Sequence, residues 1–195
     1  MTSCRTAALV AAGLAIGLSS AAAQAAEPAA CRDVVFSDVG WTDITSTTAL
    51  ASTVLQALGY NTETKILSLP VTYTAMAKND VDVFLGNWMP SQENDLKPYR
   101  DSGTVEVLRT NLTGAKYTLA TNEAGAKLGI DDFGKIATHK ADLDGKIYGI
   151  EPGNDGNRLL LEMVAGNKFY LGTFEIVESS EQGMLAQVAR ADGAG

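Results

Sequence analysis

Asp80-Val-Asp-Val-Phe-Leu-Gly-Asn-Trp-Met-Pro90 is the stretch whose reading decides the fold. Val81, Val83 and Leu85 alternate with Asp82 and Phe84 over a short, largely apolar run, which predicts a strand. Gly86 marks a turn, and Pro90 suits the first position of a helix. Trp88 therefore falls just past the C-terminal end of a strand, the edge at which open α/β sheets take ligands. One tryptophan there serves equally well as core filling under a loop. A second one repeats the plan: Phe36-Ser-Asp-Val-Gly-Trp41-Thr-Asp43 is again strand end, glycine, tryptophan and helix start. The chain has only these two tryptophans.

Outward from this stretch the pattern alternates. Strands are predicted over 33–37, 62–69 and 104–109. A helix is predicted over 43–58, where Ile44, Thr48, Ala51, Leu55 and Leu58 keep helical spacing and Gly59 ends it. Pro70 opens a second helix through Lys78, and 90–102 is partly helical with an interruption near Pro98. Strands alternating with helices predict a parallel sheet covered on its faces. The polar run 110–114 reads as a crossing between lobes. Beyond it come a strand over 115–120 that carries Tyr117, a short helix near 130–136, and a strand over 146–150. That strand leads into Glu151-Pro-Gly-Asn154-Asp-Gly-Asn157, followed by a helix over 158–165, a strand over 174–177 and a helix over 180–191. About three strands are few for a second parallel sheet, whose outer strands must be covered. The expected organisation is a signal peptide at 1–25, an α/β lobe at 26–111, and a second, incomplete α/β lobe at 112–195.

Composition narrows the function. The chain of 195 residues is 46% hydrophobic and 19% charged, with a net charge of -8 and a pI near 4.6. It has no run of Lys and Arg to neutralise phosphates, so nucleic acid is an unfavourable partner. Arg5, the apolar run 7–18 and Ala23-Gln-Ala25 form a secretory signal pattern whose core is too short to be a permanent anchor. The mature protein is expected to be soluble, exported and periplasmic. Cys4 lies within the signal, which leaves Cys31 as an odd mature cysteine, either a buried free thiol or one whose partner is missing.

Catalytic constellations are scarce. His139 is the only histidine, in a polar run beside Lys140, and reads as a solvated loop residue. The sequence lacks CxxC, HExxH and a Walker lysine, so no cofactor and no metal site are expected. The turn 151–157 can present N–H groups to an anion, or Asn154 and Asn157 can simply cap the next helix. Trp41, Trp88 and Tyr117 remain as aromatics at strand ends. Rings hold a quaternary ammonium by cation–π attraction, each worth about 0.5–2 kcal/mol. Such a cation has no N–H donor, so several rings must surround it. Stacking on sugars is the rival use. Asp43 either accepts a ligand hydroxyl or steadies the first turn of its helix through the macrodipole.

With these residues in place the chain resembles the substrate-binding proteins of glycine betaine/choline ABC importers, and among them the periplasmic choline-binding proteins of rhizobial type. The resemblance rests on Ser37-Asp-Val-Gly-Trp41-Thr-Asp43, Asp82-Val-Phe-Leu-Gly-Asn-Trp88-Met-Pro90, Tyr117 and Gly153-Asn154, and covers the chain from Cys31 onward. It implies a type II periplasmic binding protein, a two-lobed Venus flytrap that binds choline and delivers it to a membrane permease without catalysing a reaction. It implies an aromatic box of Trp41, Trp88 and Tyr117, with Asp43 and Asn154 at the hydroxyl end of the ligand. It also implies a further tryptophan and a partner for Cys31 beyond Gly195, and hence a truncated second lobe. A monomer is expected. Acetylcholine, glycine betaine and proline betaine are the alternative ligands on the same fold. A secreted hydrolase of choline esters is the alternative of a different class.

Overall fold

A computed structural model describes residues 28–194. The expected signal peptide at 1–25 lies outside them. The first half is built on β1 (Asp33–Asp38), α1 (Thr42–Ala57), β2 (Asn61–Ile66), α2 (Leu69–Ala77), β3 (Val83–Phe84) and α3 (Glu93–Asp101). β1 is the central strand, with β2 and β3 on either side and both pairings parallel. The register sets Asp38 opposite Ile66 and Ser37 opposite Phe84. A parallel sheet brings the C-terminal ends of its strands to one edge, so the turns after β1 and β3 lie side by side there.

Local chemistry fixes both turns. After β1, the buried Asp38 carboxylate accepts from Gly40 N at 2.7 Å and from the Thr45 hydroxyl at 2.7 Å. Gly40 takes φ +84°, and Trp41 becomes the N-cap residue of α1. α1 ends in a Schellman motif, with Gly59 N bonded to Gln56 O and Tyr60 N to Leu55 O. After β3, Gly86 is required by close approach rather than by φ. A Cβ there would meet the Phe84 ring at 2.8 Å and Ile44 at 3.0 Å. Buried Gln92 closes this turn, donating to Gly86 O at 3.1 Å and accepting from the Tyr73 hydroxyl at 2.8 Å. Trp41, Ile44, Leu69, Tyr73 and Leu96 share the core beneath the edge, and Trp88 packs against it half-buried.

The second half contains α4 (Glu123–Lys127), α5 (Phe133–Ile136), β4 (Lys146–Tyr148), α6 (Asp155–Ala165), β5 (Glu175–Val177) and α7 (Glu181–Ala194). β4 and β5 form a parallel two-stranded sheet over Ile130, Ile136, Ile147, Leu171 and Phe174.

Several expectations are corrected. No strand forms over 104–109 or 115–120, so the second sheet has two described strands rather than about three. Val105 is buried, but 106–118 is exposed throughout. Strand propensity is a fit to a pleated, half-buried surface, and this stretch has none to lie on. The expected lobe boundary at 111/112 falls inside it. Pro90 follows a cis peptide and does not open a helix; α3 begins at Glu93. α3 also runs through Pro98 without interruption. One backbone bond is forgone, while burial of Leu96 and stacking of Tyr99 on Tyr73 (6.1 Å) hold the helix in place. Cys31 is free and exposed, which removes the buried-thiol alternative.

Candidate functional site

Trp41, Asp43, Trp88 and Tyr117 line one cavity of about 170 Å³ at the seam between the halves. The two tryptophans come from the turns after β1 and β3, and Tyr117 comes from the unpaired stretch before α4. Asp43 lies in the first turn of α1, as a helix-start residue would, and its exposed side chain also faces the cavity. Lys116 and Glu181 complete the charged part of the lining. A larger cavity of about 350 Å³ runs along α6, past Asn157, Leu161 and Ala165. It has no aromatic lining residue, so of the two cavities only the smaller one presents rings.

Asn154 stands one hydrogen bond behind the cavity. It is 1% exposed and caps α6, its Oδ1 accepting from Gly156 N at 2.7 Å and Asn157 N at 3.4 Å. The same oxygen accepts from the Tyr117 hydroxyl at 3.2 Å. The capping alternative for Asn154 is thus realised, together with a link to one of the rings. Tyr117 approaches so closely that a Cβ on Gly156 would lie 2.2 Å from its hydroxyl oxygen. Burial, then the charges of Asp155 and Glu151, push the Tyr117 phenol up to about 12, so it remains a donor at neutral pH.

Trp41 is 6% exposed, and its indole N–H donates to Glu151 Oε1 at 2.8 Å across the seam. Asn154 Nδ2 donates to the same oxygen at 3.3 Å. Burial raises the Glu151 carboxyl above its ordinary range, and these two hydrogen bonds oppose the rise. Other contacts tie the seam. Thr42 N donates to Glu181, Gln182 donates to Gly40 O, and Arg158 grips both Asp95 oxygens at 3.1 and 2.9 Å and Ser91 O at 3.0 Å.

Sequence reasoning missed Asp38, Gln92, Glu181 and Arg158. In the sequence Glu151 reads only as part of a glycine-rich turn. Each acts on a partner distant in sequence or through a turn bond, and no short motif records that. His139 sits in the 3-10 turn Ala137–His139 beside Asp142, at 3.1 Å, and is not a lining residue. Among the described residues no cluster of His, Cys, Asp or Glu suits a metal ion, and no helix is long and apolar enough to cross a membrane.

Comparison with known proteins gives concordant findings. The family model of the substrate-binding domain of ABC-type glycine betaine transport systems matches residues 32–192. An ABC-transporter choline-binding protein solved in complex with choline is 66% identical, with a TM-score of 0.84 over 87% of this chain and 58% of its own. The unliganded, semi-closed form of such a protein gives 66% identity and a TM-score of 0.77, over 85% of this chain and 58% of its own. The chain therefore spans just under three fifths of the length of these solved structures. Uncharacterized protein ORF1 of Chromohalobacter salexigens is 50% identical over 129 residues, covering 66% of this chain and 83% of that protein. The two-lobed α/β fold of periplasmic binding proteins is thus the fold of this chain.

Proposed function

The chain belongs to the family of substrate-binding domains of ABC-type glycine betaine transport systems, and from that premise we propose that it binds choline outside the cytoplasm for delivery to an ABC importer. The observation that carries the reading is the convergence of Trp41, Trp88 and Tyr117, from both halves of the chain, on one cavity with the Asp43 carboxylate. Rings from several directions suit a trimethylammonium group, which offers no N–H and is held by ring faces. Likeness to a choline complex supports the same ligand, and the TM-score is higher for that complex than for the unliganded form.

In this reading Asp43 accepts the choline hydroxyl, and Asn154 is its second polar partner. Asn154 Oδ1 already accepts from the Tyr117 hydroxyl, so a ligand hydroxyl replaces one donor by another without leaving the oxygen unsatisfied. The protein acts by binding and closure rather than catalysis. It works in the periplasm, and its partner is the membrane permease. The two halves contribute separate walls, as closure around a ligand requires. Lys116 on the lining favours a second reading, glycine betaine, whose carboxylate it would pair.

Calorimetric titration of the protein with choline, acetylcholine and glycine betaine tests the assignment. Choline is expected to bind more tightly than glycine betaine, because the two carboxylates Asp43 and Glu181 on the lining outnumber the single cation Lys116 and disfavour a ligand carboxylate. Tighter binding of glycine betaine would transfer the assignment to that ligand. Absence of heat with all three would end it.

A further inference from the structure

We propose that Glu151 is a positioning residue of the binding site: by accepting the Trp41 indole N–H across the seam it sets the orientation of that ring and couples it, through Asn154, to the ring of Tyr117. The proposal rests on the reading of the cavity as a quaternary ammonium site.

The geometry is continuous. Trp41 Nε1–H donates to Glu151 Oε1 at 2.8 Å, Asn154 Nδ2–H donates to the same oxygen at 3.3 Å, and the Tyr117 hydroxyl donates to Asn154 Oδ1 at 3.2 Å. Two lining rings, one from each half, thus have their polar tips fastened to the single turn that joins β4 to α6. Trp41 lies in the first-half core and is almost fully buried, so its N–H needs a partner, and that partner comes from the second half. Trp41 is therefore fully satisfied only while the halves are together.

The choice of a carboxylate is informative. A glutamine oxygen would satisfy an indole N–H without the cost of burying a charge, and burial does work against the charged form of Glu151. Asp155 adds repulsion to the same group, while Asp43, Glu181 and Lys116 lie on the cavity nearby. The ionised carboxylate would set a negative acceptor 2.8 Å from the indole nitrogen. A negative acceptor at the indole N–H polarises the ring toward its face, the direction that strengthens attraction for a cation. Glu151 is thereby assigned two effects on Trp41, orientation and polarisation, without touching the ligand.

The experiment has two arms. The first is ligand-free. With only two tryptophans in the chain, [15N]Trp labelling gives two indole N–H resonances, and Trp88→Phe assigns the one from Trp41. Glu151→Gln should shift the Trp41 resonance moderately, and Glu151→Leu should move it to the position of an unbonded indole. A Trp41 resonance unmoved by Glu151→Leu overturns the proposal. The second arm is choline titration. Glu151→Gln should weaken binding several-fold, and Glu151→Leu by about tenfold or more. In a Trp41→Phe background, which lacks the N–H, Glu151→Leu should cost clearly less than it does in the parent. Equal losses in both backgrounds mean that Glu151 does not act through Trp41, and overturn the coupling. If the parent chain does not bind choline, the functional assignment fails, while the resonance arm still decides whether Glu151 holds Trp41.

Discussion

Trp41 and Trp88 reach the cavity out of a packed core, whereas Tyr117 reaches it from a stretch with no strand pairing. In the first half the ring positions follow from a three-stranded sheet, two hydrogen-bonded turns and shared burial with Ile44, Leu69 and Leu96. In the second half Tyr117 is 52% exposed and depends on Asn154 and on the space that Gly156 leaves. One wall of the site is part of the fold's stability, and the other is attached to it. Under the proposed function that division suits closure on a small cation, because the wall built on Tyr117 is the one whose displacement disturbs least core.

The strongest test of this contrast compares two rings. Trp88→Ala should weaken choline binding by about a hundredfold and lower stability by about 3 kcal/mol, since a ring packed on the core loses contacts as well as its cation–π attraction. Tyr117→Ala should weaken binding about tenfold while changing stability by less than about 0.5 kcal/mol. Calorimetry and urea unfolding of both variants settle it. Similar stability losses in the two would break the contrast.

Next in size is the seam itself. Arg158→Ala removes the two bonds to Asp95, whose side chain is 14% exposed with the pair intact, and the one to Ser91 O. The expected loss is about 2 kcal/mol, below the value for a fully buried pair because water reaches both partners. A loss indistinguishable from zero would mean that the halves are held without this contact.

Asp43→Asn should change selectivity more than affinity. The amide keeps an acceptor for the choline hydroxyl, so choline binding should weaken by only several-fold. Loss of the charge should leave glycine betaine binding unchanged or improved. The choline-to-betaine affinity ratio is the quantity to follow. If both ligands weaken together and the melting temperature falls, Asp43 acts only on the first turn of α1.

The smallest effect concerns Asp155, which is buried with neither oxygen well hydrogen-bonded. Burial holds its carboxyl above the ordinary 3.8, against the opposing influence of Ser91 and its own backbone. Between 3.8 and the raised value the folded protein binds more protons than the unfolded chain, so this group's contribution to stability falls as pH rises through that window. Asp155→Asn should therefore raise the melting temperature by a few degrees at neutral pH. The gain should shrink on acidification and vanish below the ordinary carboxylate pKa. A gain that persists at low pH would show that charge is not its cause.

Much of the first half was legible in the sequence because its signals are local. The short run Val34-Val35-Phe36 marks β1, alternation marks β2, the spacing from Ile44 to Leu58 marks α1, and glycine before tryptophan marks both turns. The second half was legible only where turn chemistry is strong, as at Asn154 and α6. The runs 104–109 and 115–120 carry strand residues but found no edge to pair with, and pairing is a property of two segments rather than one. The sequence by itself determined the alternating α/β class, the placement of both tryptophans at one sheet edge and the residue types suited to a quaternary cation. Only the tertiary structure decided that Tyr117 and Asp43 share their cavity, that Asn154 stands behind it, and that Glu151, 110 positions away, holds Trp41. The reason is physical. Strands and helices arise from contacts a few residues apart, whereas a hydrogen bond between Trp41 and Glu151 exists only once two separately built cores have met.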